Sequence, residues 1–379
     1  MLPCFRSATS VSMKKQDDQE QTPTLQSEDA SGTSELSGSM SSSMPAPPPT
    51  TPDGALSKEM ALSRMQSNDE SKVLSNTVRQ IEMTDLAQPF TKLGAGEFCA
   101  AFLTSLDGRA VVVKMLKKEH HQNPVASRDL LSEVQLMTEM NHAHVLNSIA
   151  QGTDSNGLPF MVVEKLEKVL AHELPRPVDS VPYWKRKAQC KKWPPLRALS
   201  VAREFAMALR YIHEEAIPGY RILHRDLKPT NIGFMADGHL VLFDFGLAKL
   251  YKISEDENND QRPFTGKIGA LRYMAPEVAL CRPYSNKAEV FSWSIILWQL
   301  LSHNVPFSHC DEQAFFVRVA EAGERPKIPK TTSKPLRELM EQCWSGEPSE
   351  RPNMSEIVPT LDGFIETINK ATPFNTIKF

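Results

Sequence analysis

The segment ILHRDLKPTNIGFM, residues 222–235, constrains the fold of this chain more than any other stretch. A carboxylate (Asp226), a cation (Lys228) and an amide (Asn231) stand within six positions, between two apolar runs. Taken singly, each of these side chains is more often structural than functional. Together they indicate a site of chemistry inside a folded domain, because buried charges persist only where they are partnered.

The other residues that phosphoryl transfer demands precede this segment in order. That reaction needs a flexible loop over phosphates, a cation on them, oxygen ligands for Mg²⁺, and a base near the acceptor hydroxyl. Gly94 and Gly96 in LGAGEFCA predict the loop, since neither places a side chain in the way. Lys114 closes the next predicted strand, and Glu133 on the following predicted helix supplies a carboxylate to fix it.

The central segment and FDFGLA supply the remaining groups. Asp226 is the candidate base, Lys228 the cation toward the transferred phosphoryl group, and Asn231 a neutral metal ligand. Asp244, thirteen residues after Asn231, is a second candidate metal ligand, and Gly246 permits a turn behind it. The whole set, in this order, predicts phosphoryl transfer.

With these residues in view, the chain resembles a protein kinase over about residues 85–368. LGAGEF, VVVK, SEVQLM, HRDLKPTN, DFG and RYMAPE stand in the family's order. The resemblance implies an α+β class and a bilobal protein kinase fold, with a small β-rich N-lobe and a larger helical C-lobe. It also implies ATP and Mg²⁺ as cofactors, with the γ-phosphoryl of ATP passing to Ser or Thr hydroxyls of protein substrates in intracellular signalling.

The resemblance also implies a role for each matching residue. Lys114, paired with Glu133, holds the α and β phosphates; Asp226 is the catalytic base; Asn231 and Asp244 bind Mg²⁺. Residues 162–166 match the hinge that binds adenine, with Val163 as gatekeeper. The expected nucleotide-binding residues are Gly94, Gly96, Ala101, Val112, Lys114, Glu164, Leu166 and Gly233.

The C-terminal motifs narrow the group. GERPKIP and CWSGEPSERPNMSEIVPTL resemble the tyrosine-kinase-like group of Ser/Thr kinases, in which Glu277 and Arg351 match a structural ion pair. The HRDLKP form, with Lys228, is similar to Ser/Thr kinases, and a tyrosine or dual-specificity kinase is the alternative. A pseudokinase scaffold is the other alternative, although Lys114, Asp226 and Asp244 are all retained.

The 34 residues from Asp244 to Glu277 form the expected activation segment. Ser254 and Thr265 are its candidate phosphorylation sites, and Arg225 is the cation that such a phosphate would pair with. Phosphorylation of Thr265 is expected to activate the enzyme.

Several residues depart from the family pattern. Cys99 replaces the third glycine of the loop, and Ala101 and Val112 exchange the sizes of a usual valine and alanine. Gly233 replaces a leucine that packs under adenine. If nothing refills the space, the loss is up to roughly 2 kcal/mol, or about thirtyfold in affinity, and Gly233→Leu should tighten ATP binding.

Two further departures concern the catalytic loop and the activation segment. Glu289 replaces an aspartate that holds the backbone of the HRD turn, so the turn is expected to adjust or a water to bridge. Ala270 replaces a threonine that links the segment to the base, which weakens the Ser/Thr assignment.

The patterns along the chain place these residues on elements. The turn at residues 107–108 separates two predicted strands, and residues 158–166 are a third. Residues 126–140 predict a helix whose apolar stripe includes Leu130, Leu131, Val134, Met137 and Met140. Further helices are predicted at 196–215, 287–301 and 334–344. The apolar run at residues 291–301 is about half of the roughly 20 residues that span a bilayer, so it predicts a core helix.

The domain organisation follows from composition. Residues 1–80 are expected to be a disordered Ser/Thr/Pro-rich tail, since 17 of the 22 residues from Ser31 to Pro52 are Ser, Thr, Pro or Gly. A basic insert lies at about residues 175–195, and residues 369–379 form a C-terminal tail. The YWKRKAQCKK stretch within the insert, 183–192, carries five cations and no carboxylate. It predicts a solvated loop; the alternatives are a nuclear import signal or a contact with acidic lipid or nucleic acid.

Charge and cysteine content bound the partners. A net charge of -3 gives no global reason to expect specific nucleic-acid binding. Six scattered cysteines without a CxxC pair favour a reducing compartment, so a cytoplasmic location is expected, with nuclear access through residues 185–192. The chain is expected to have no transmembrane segment, and to be a monomer or a transient dimer during autophosphorylation.

Overall fold

A computed structural model describes residues 78–253, 266 and 268–371. The predicted N-terminal tail lies outside the described residues except for its last three, as do Ser254, Thr265 and residues 372–379. The described structure extends past both expected domain bounds, 85 and 368, because a short strand forms at Arg79–Gln80 and the last helix ends at Ala371. The disorder of the tail therefore stays a prediction.

The N-lobe is built on one six-stranded sheet. Its strands are β1 (Arg79–Gln80), β2 (Thr91–Ala95), β3 (Cys99–Leu106), β4 (Arg109–Leu116), β5 (Ser148–Thr153) and β6 (Pro159–Glu164). They lie in the order β1-β5-β6-β4-β3-β2, and every pair is antiparallel except β1 with β5. The predicted turn between β3 and β4 is confirmed: Asp107 and Gly108 both have positive φ, the geometry that hairpin turns favour.

One long helix, α1 (Pro124–Thr138), packs on this sheet. Its start is explained by Asn123, whose side chain accepts hydrogen bonds from the N–H groups of Val125 and Ala126, and by a proline in the first turn. The buried face carries Leu130, Val134 and Met137 as predicted. Leu131 is wrong as a core residue, because it is 45% exposed on the outer side of the helix.

The C-lobe is mainly helical, as predicted. Its helices are α2 (Leu170–Glu173), α3 (Tyr183–Lys191), α4 (Pro195–Arg210), α5 (Pro276–Ala279), α6 (Lys287–Ser302), α7 (Glu312–Ala314), α8 (Lys334–Cys343) and α9 (Met354–Ala371). A π-helical turn at Tyr211–Glu215 continues α4, and another at Phe315–Glu321 continues α7. The predicted core helix is confirmed: α6 is buried on nearly all sides.

The short strands of the C-lobe carry the candidate site. They are β7 (Lys168–Val169), β8 (Tyr220–Leu223), β9 (Ile232–Phe234), β10 (Leu240–Leu242) and β11 (Lys249–Lys252). The loop from β8 to β9 holds Asp226, and the loop after β10 holds Asp244. Because β9 pairs with β10, the two loops leave the same small sheet close together.

The basic stretch is helical over Tyr183–Lys191, which corrects the loop predicted for residues 183–192. Arg186 ties this helix to the end of α6, since its guanidinium donates to His303 O at 2.8 Å and Asn304 Oδ1 at 2.9 Å. Trp193 beyond the helix is fully buried. The sequence pattern missed the helix because a nine-residue segment with four cations offers almost no apolar periodicity. Within the described range, no helix is long and apolar enough to cross a membrane.

Candidate active site

Lys114 is the centre of the first polar cluster, between the two lobes. It lies on β4, and its ammonium donates to Glu133 of α1 at 2.6 and 2.8 Å. The same ammonium donates to Oδ1 of Asp244 at 2.8 Å. The expected Lys114–Glu133 pair is therefore present, and the same cation links the N-lobe to the loop after β10.

The charges in this cluster shift one another's pKa values. Burial alone would lower the pKa of Lys114, but Asp244 and Glu133 outweigh burial and raise it. Burial raises the pKa of Glu133 despite the neighbouring cation. Burial would also raise the pKa of Asp244, yet Lys114 holds it below its usual value. Lys114 thus stays charged at physiological pH, and Glu133 takes up a proton before Asp244 as the pH falls.

Asp226 is the centre of the second cluster, on the loop between β8 and β9. Its Oδ2 accepts from Lys228 Nζ at 2.5 Å and from Asn231 Nδ2 at 3.0 Å. Asn231 Nδ2 also donates to the backbone carbonyl of Asp226 at 2.8 Å, which closes the loop on itself. Oδ1 of Asp226 has no hydrogen-bond partner within the described part of the chain, so it can accept a proton from an incoming hydroxyl group.

Glu289, on α6, holds this loop in place directly. Its Oε1 accepts the backbone N–H of Arg225 at 2.7 Å, and its Oε2 accepts from His213 Nε2 at 2.7 Å. His213 is fully buried. Glu289 therefore reaches both partners directly, so a bridging water is not needed, and the adjustment of the turn stays a prediction. Arg225 itself has a φ of 63°, a strained conformation that this anchoring stabilises.

The loop after β10 turns sharply at Asp244, where φ is 67°. Phe245 is buried and its ring lies 4.9 Å from the ring of His224, while His224 Nε2 lies 3.0 Å from the carbonyl oxygen of Phe243. These contacts turn Asp244 away from the core and toward Lys114. His224, in the loop that holds Asp226, thus contacts the residues on either side of Asp244.

Several of the residues expected to bind the nucleotide lie on the N-lobe sheet. Gly96 donates to Cys99 O at 2.8 Å, so the glycine loop closes as a tight turn between β2 and β3, with Gly94 opposite Ala101. Ala101 and Val112 lie on the same face of the sheet as diagonal neighbours, and they share one apolar cluster with Val163. The size exchange between Ala101 and Val112 is therefore accommodated locally.

Gly233 does not leave the gap that its sequence position indicated. A Cβ on Gly233 would meet Leu166 Cδ1 at 2.8 Å and Lys168 O at 3.3 Å. The side chain of Leu166, in the hinge after Glu164, occupies the place of the missing leucine. The expectation that Gly233→Leu would fill empty space is therefore wrong, because a hinge residue supplies this part of the floor.

The structure also shows the surroundings of two other departures, Cys99 and Ala270. Burial raises the pKa of the Cys99 thiol to about 11, although Lys114 nearby opposes the shift. Gly269, with a φ of 102°, packs against the catalytic loop so closely that a Cβ would stand 2.2 Å from Arg225 O. The segment before Ala270 thus meets the loop through its backbone and not through a threonine hydroxyl.

Sequence reasoning missed two residues that shape the site. Leu166 was expected as a backbone contact, and its side-chain role depends on a packing partner 67 positions away. His213 belongs to no recognisable motif. Its only signal in the sequence was Glu289, because a glutamate in place of the shorter aspartate needs a second hydrogen-bond partner.

A two-lobed α+β fold with a lysine–carboxylate cluster facing an Asp–Lys–Asn loop defines a phosphotransferase. A family model described as "Protein kinase domain" matches residues 88–360, more than half of the chain. The chain belongs to the protein kinase family. Membership implies ATP, a divalent metal and a protein substrate.

Several named kinases are similar to this chain. The serine/threonine-protein kinase STY17 of Arabidopsis thaliana is 32% identical over 279 residues, which cover 73% of this chain and 44% of that protein. Serine/threonine-protein kinase 12 of the same plant is 32% identical over 274 residues, or 71% of this chain and 54% of that protein. The chain spans about half the length of these two relatives.

The match to a third relative covers a larger share of that protein. The serine/threonine/tyrosine-protein kinase HT1 of Arabidopsis thaliana is 26% identical over 314 residues, covering 82% of this chain and 75% of that protein. The relatives belong to the tyrosine-kinase-like group, so the predicted group is confirmed.

Proposed function

We propose that this protein is an active Ser/Thr protein kinase that uses ATP and Mg²⁺. The observation that carries the proposal is the assembled pair of clusters: Lys114 bonded to both Glu133 and Asp244, beside a catalytic loop in which Asp226 contacts Lys228 and Asn231. A degenerate kinase usually loses one of these groups. The pseudokinase alternative is therefore not favoured.

Each side chain has its own role in the proposed phosphoryl transfer. Oδ1 of Asp226 accepts the proton of the substrate hydroxyl as its oxygen attacks the γ-phosphorus of ATP. Lys228, already 2.5 Å from Oδ2 of Asp226, places positive charge where the transferred phosphoryl oxygens pass. Lys114 holds the α and β phosphates, and its two carboxylate contacts keep the ammonium in one position.

The residues present fit a hard divalent cation. The amide nitrogen of Asn231 faces Asp226, which leaves its oxygen as a ligand, and Asp244 Oδ1 faces Lys114, which leaves the other oxygen of that carboxylate. Two protein oxygens completed by phosphates and water match the coordination of Mg²⁺. When bound there, the metal neutralises charge on the phosphate oxygens.

Autophosphorylation with labelled ATP tests the proposal. Asp226→Asn keeps the loop's shape but removes the base, so we expect the rate to fall by about 10²- to 10⁴-fold. Asp129→Asn, an exposed change on α1, is the matched control and should leave the rate unchanged. Equal signal from wild type and Asp226→Asn would disprove the catalytic proposal.

Two extensions of the same assay address the finer points. Mapping of the phosphorylated residues separates Ser/Thr from tyrosine or dual specificity, an alternative raised by the name of HT1. Removal of divalent metal by a chelator should abolish the signal, and Mg²⁺ should restore it better than Ca²⁺ because of its octahedral preference.

We further propose that phosphorylation of Thr265 activates the enzyme. Support comes from Arg225, which precedes the base and whose Nε donates to Leu247 O at 2.7 Å, at the start of the activation segment. A phosphate on the segment would order it through charge-assisted hydrogen bonds. Undiminished activity of Thr265→Ala would refute this proposal.

The remaining proposals concern the state of the protein in the cell. We place it in the cytoplasm, where the five described cysteines, all free, would stay reduced. We propose a monomer that forms a transient dimer during autophosphorylation. Dilution of the enzyme should then lower the specific rate of autophosphorylation, whereas a rate independent of concentration would contradict the dimer.

A further inference from the structure

The outer side of α3 carries a dense set of exposed aromatic and basic side chains. We call it the basic-aromatic face, and it consists of Tyr183, Trp184, Lys185, Lys187, Lys191 and Lys192. Tyr183 is 78% exposed and Trp184 is 66% exposed, the two highest values among large hydrophobic residues of the described chain. Val178, five residues earlier, is the next at 60%. Such concentrated apolar exposure marks an interaction surface, whereas single exposed residues do not.

Contacts on the inner side of the helix attach it to the C-lobe, so this face is presented outward. Arg186 is fixed to the end of α6, and Gln189 Oε1 accepts the backbone N–H of Arg176 at 3.2 Å. Trp193 Nε1 donates to Glu173 O at 2.8 Å from a buried position. The side chains at positions 186, 189 and 193 thus attach the helix to the rest of the C-lobe, and the side chains of the basic-aromatic face are exposed to solvent.

The four lysines of the face keep their charge uncompensated. None of them has a carboxylate within 4 Å among the described residues, although ion pairs are frequent elsewhere on the C-lobe. Lys185 lies 5.4 Å from the Trp184 ring and Lys187 lies 5.9 Å from the Tyr183 ring. Positive charge and aromatic surface therefore occupy the same patch.

This combination matches the surface of an anionic bilayer. Trp and Tyr favour the water–lipid interface, where the ring is apolar and its polar edge stays wet, and lysines are attracted to anionic headgroups. A nucleic acid fits less well, because Arg186, the one arginine of the helix, already donates its hydrogen bonds to residues of the C-lobe. The chain as a whole also carries a net charge of -3, which does not favour binding to phosphates. We propose that the basic-aromatic face docks this kinase on membranes rich in anionic phospholipid.

Vesicle co-sedimentation of the full chain tests the proposal. Phosphatidylcholine vesicles with 30% phosphatidylserine, a composition of our choosing at about the charge of a cytoplasmic leaflet, are compared with pure phosphatidylcholine vesicles. We expect at least about tenfold tighter binding to the anionic vesicles, lost when Lys185, Lys187, Lys191 and Lys192 are all replaced by Ser. The matched control replaces the exposed Lys118, Lys327, Lys330 and Lys334 by Ser, with the same change in net charge, and should keep binding.

A fluorescence measurement separates insertion from charge attraction alone. Trp184 is the only tryptophan of the five more than 6% exposed, so quenching by brominated acyl chains reports on it. We expect quenching on anionic vesicles, none in Trp184→Phe, and weakened sedimentation when Tyr183 and Trp184 are both Ser.

Several outcomes would overturn the proposal. These are equal vesicle binding by wild type and the lysine variant, equal binding to both vesicle types, the absence of Trp184 quenching, and binding to RNA or polyglutamate without binding to vesicles. Unchanged kinase activity of all variants in solution shows that they are folded, so a loss of vesicle binding is attributable to the face.

Discussion

Leu166, in the predicted hinge, packs against Gly233 of β9, where the family resemblance implies a leucine side chain under the nucleotide. A leucine side chain three residues after the gatekeeper position fills the place that the family fills from β9. The space beside Gly233 is therefore filled by a side chain from another part of the chain. Nucleotide affinity should therefore depend on position 166 and not on refilling position 233.

A double-mutant cycle tests this exchange. Gly233→Leu alone should leave the Michaelis constant for ATP unchanged or raise it, because Leu166 must move aside. Leu166→Ala should raise it by up to about tenfold, or about 1.4 kcal/mol. The double variant should recover most of that loss, since the new leucine enters the vacated space.

The matched control is Leu131→Ala, which removes an exposed leucine from α1. Additive losses in the double variant would show that the two side chains do not share one space.

Cys99 illustrates how burial governs a reactive group. Its pKa of about 11, against an ordinary value of 9.0, lowers the thiolate fraction at neutral pH by about 100-fold. We expect iodoacetamide at pH 7.5 to alkylate Cys99 far more slowly than the exposed Cys281, as followed by peptide mass spectrometry. Raising the pH to 9.5 should accelerate alkylation of Cys99 in proportion to its thiolate. Comparable rates at pH 7.5 would contradict the raised pKa.

At the scale of elements, α6 organises the catalytic loop through a single side chain. Glu289 bonds the backbone before Asp226 and the π-helical turn that follows α4. His213 is fully buried, so its ring nitrogen cannot turn to water if the contact is lost. The family's shorter aspartate would reach only one of the two partners.

Glu289→Asp should therefore destabilise the protein despite restoring the family residue. One buried polar group loses its partner, which costs about 1–3 kcal/mol in the free energy of unfolding, measured by denaturant titration. The turnover number should fall more than the affinity for ATP changes, because the loop carries Asp226, the proposed base. Glu341→Asp on the exposed face of α8 is the control. A variant as stable and active as wild type would show that the turn adapts freely.

The elements also show where sequence reasoning worked and where it did not. The strand pair around Asp107, the helix α1 and the core helix α6 were predicted, because each has a complete local pattern. The helix α3 was not predicted, because it is attached to the C-lobe by the contacts of Arg186 and Trp193 and has no repeating apolar stripe. Local periodicity carries no information about such anchors.

Across the whole molecule, one buried ion pair joins the end of the activation segment to the C-terminal helices. Arg351 donates to Glu277 at 2.6 and 2.9 Å, which confirms the predicted pair. Arg351 also donates to Lys287 O at 2.9 Å and lies 5.3 Å from the ring of Phe291. The pair thus fixes α5 against both α6 and the turn before α9.

Breaking this pair should cost much more than breaking one on the surface. Arg351→Met leaves Glu277 charged and buried, so we expect a loss of about 3–5 kcal/mol in the free energy of unfolding, measured with urea. Lys334→Met, which breaks the exposed pair with Glu338, should cost less than about 1 kcal/mol. Replacing both Glu277 and Arg351 by Met should lose less than Arg351→Met alone. Similar losses for the buried and the exposed pair would contradict this account.

The sequence by itself determined the family, the two-lobed fold and the identity of every polar group in the two clusters. Those groups are determined locally: phosphate, metal and proton chemistry require particular atoms, and the motifs keep them at short spacings. Only the tertiary structure decided how departures are accommodated, with Leu166 beside Gly233 and His213 beside Glu289, and that the basic stretch forms a helix on the surface of the C-lobe. These are packing relations between residues far apart in the chain, and no local pattern encodes which distant side chain will occupy a given space.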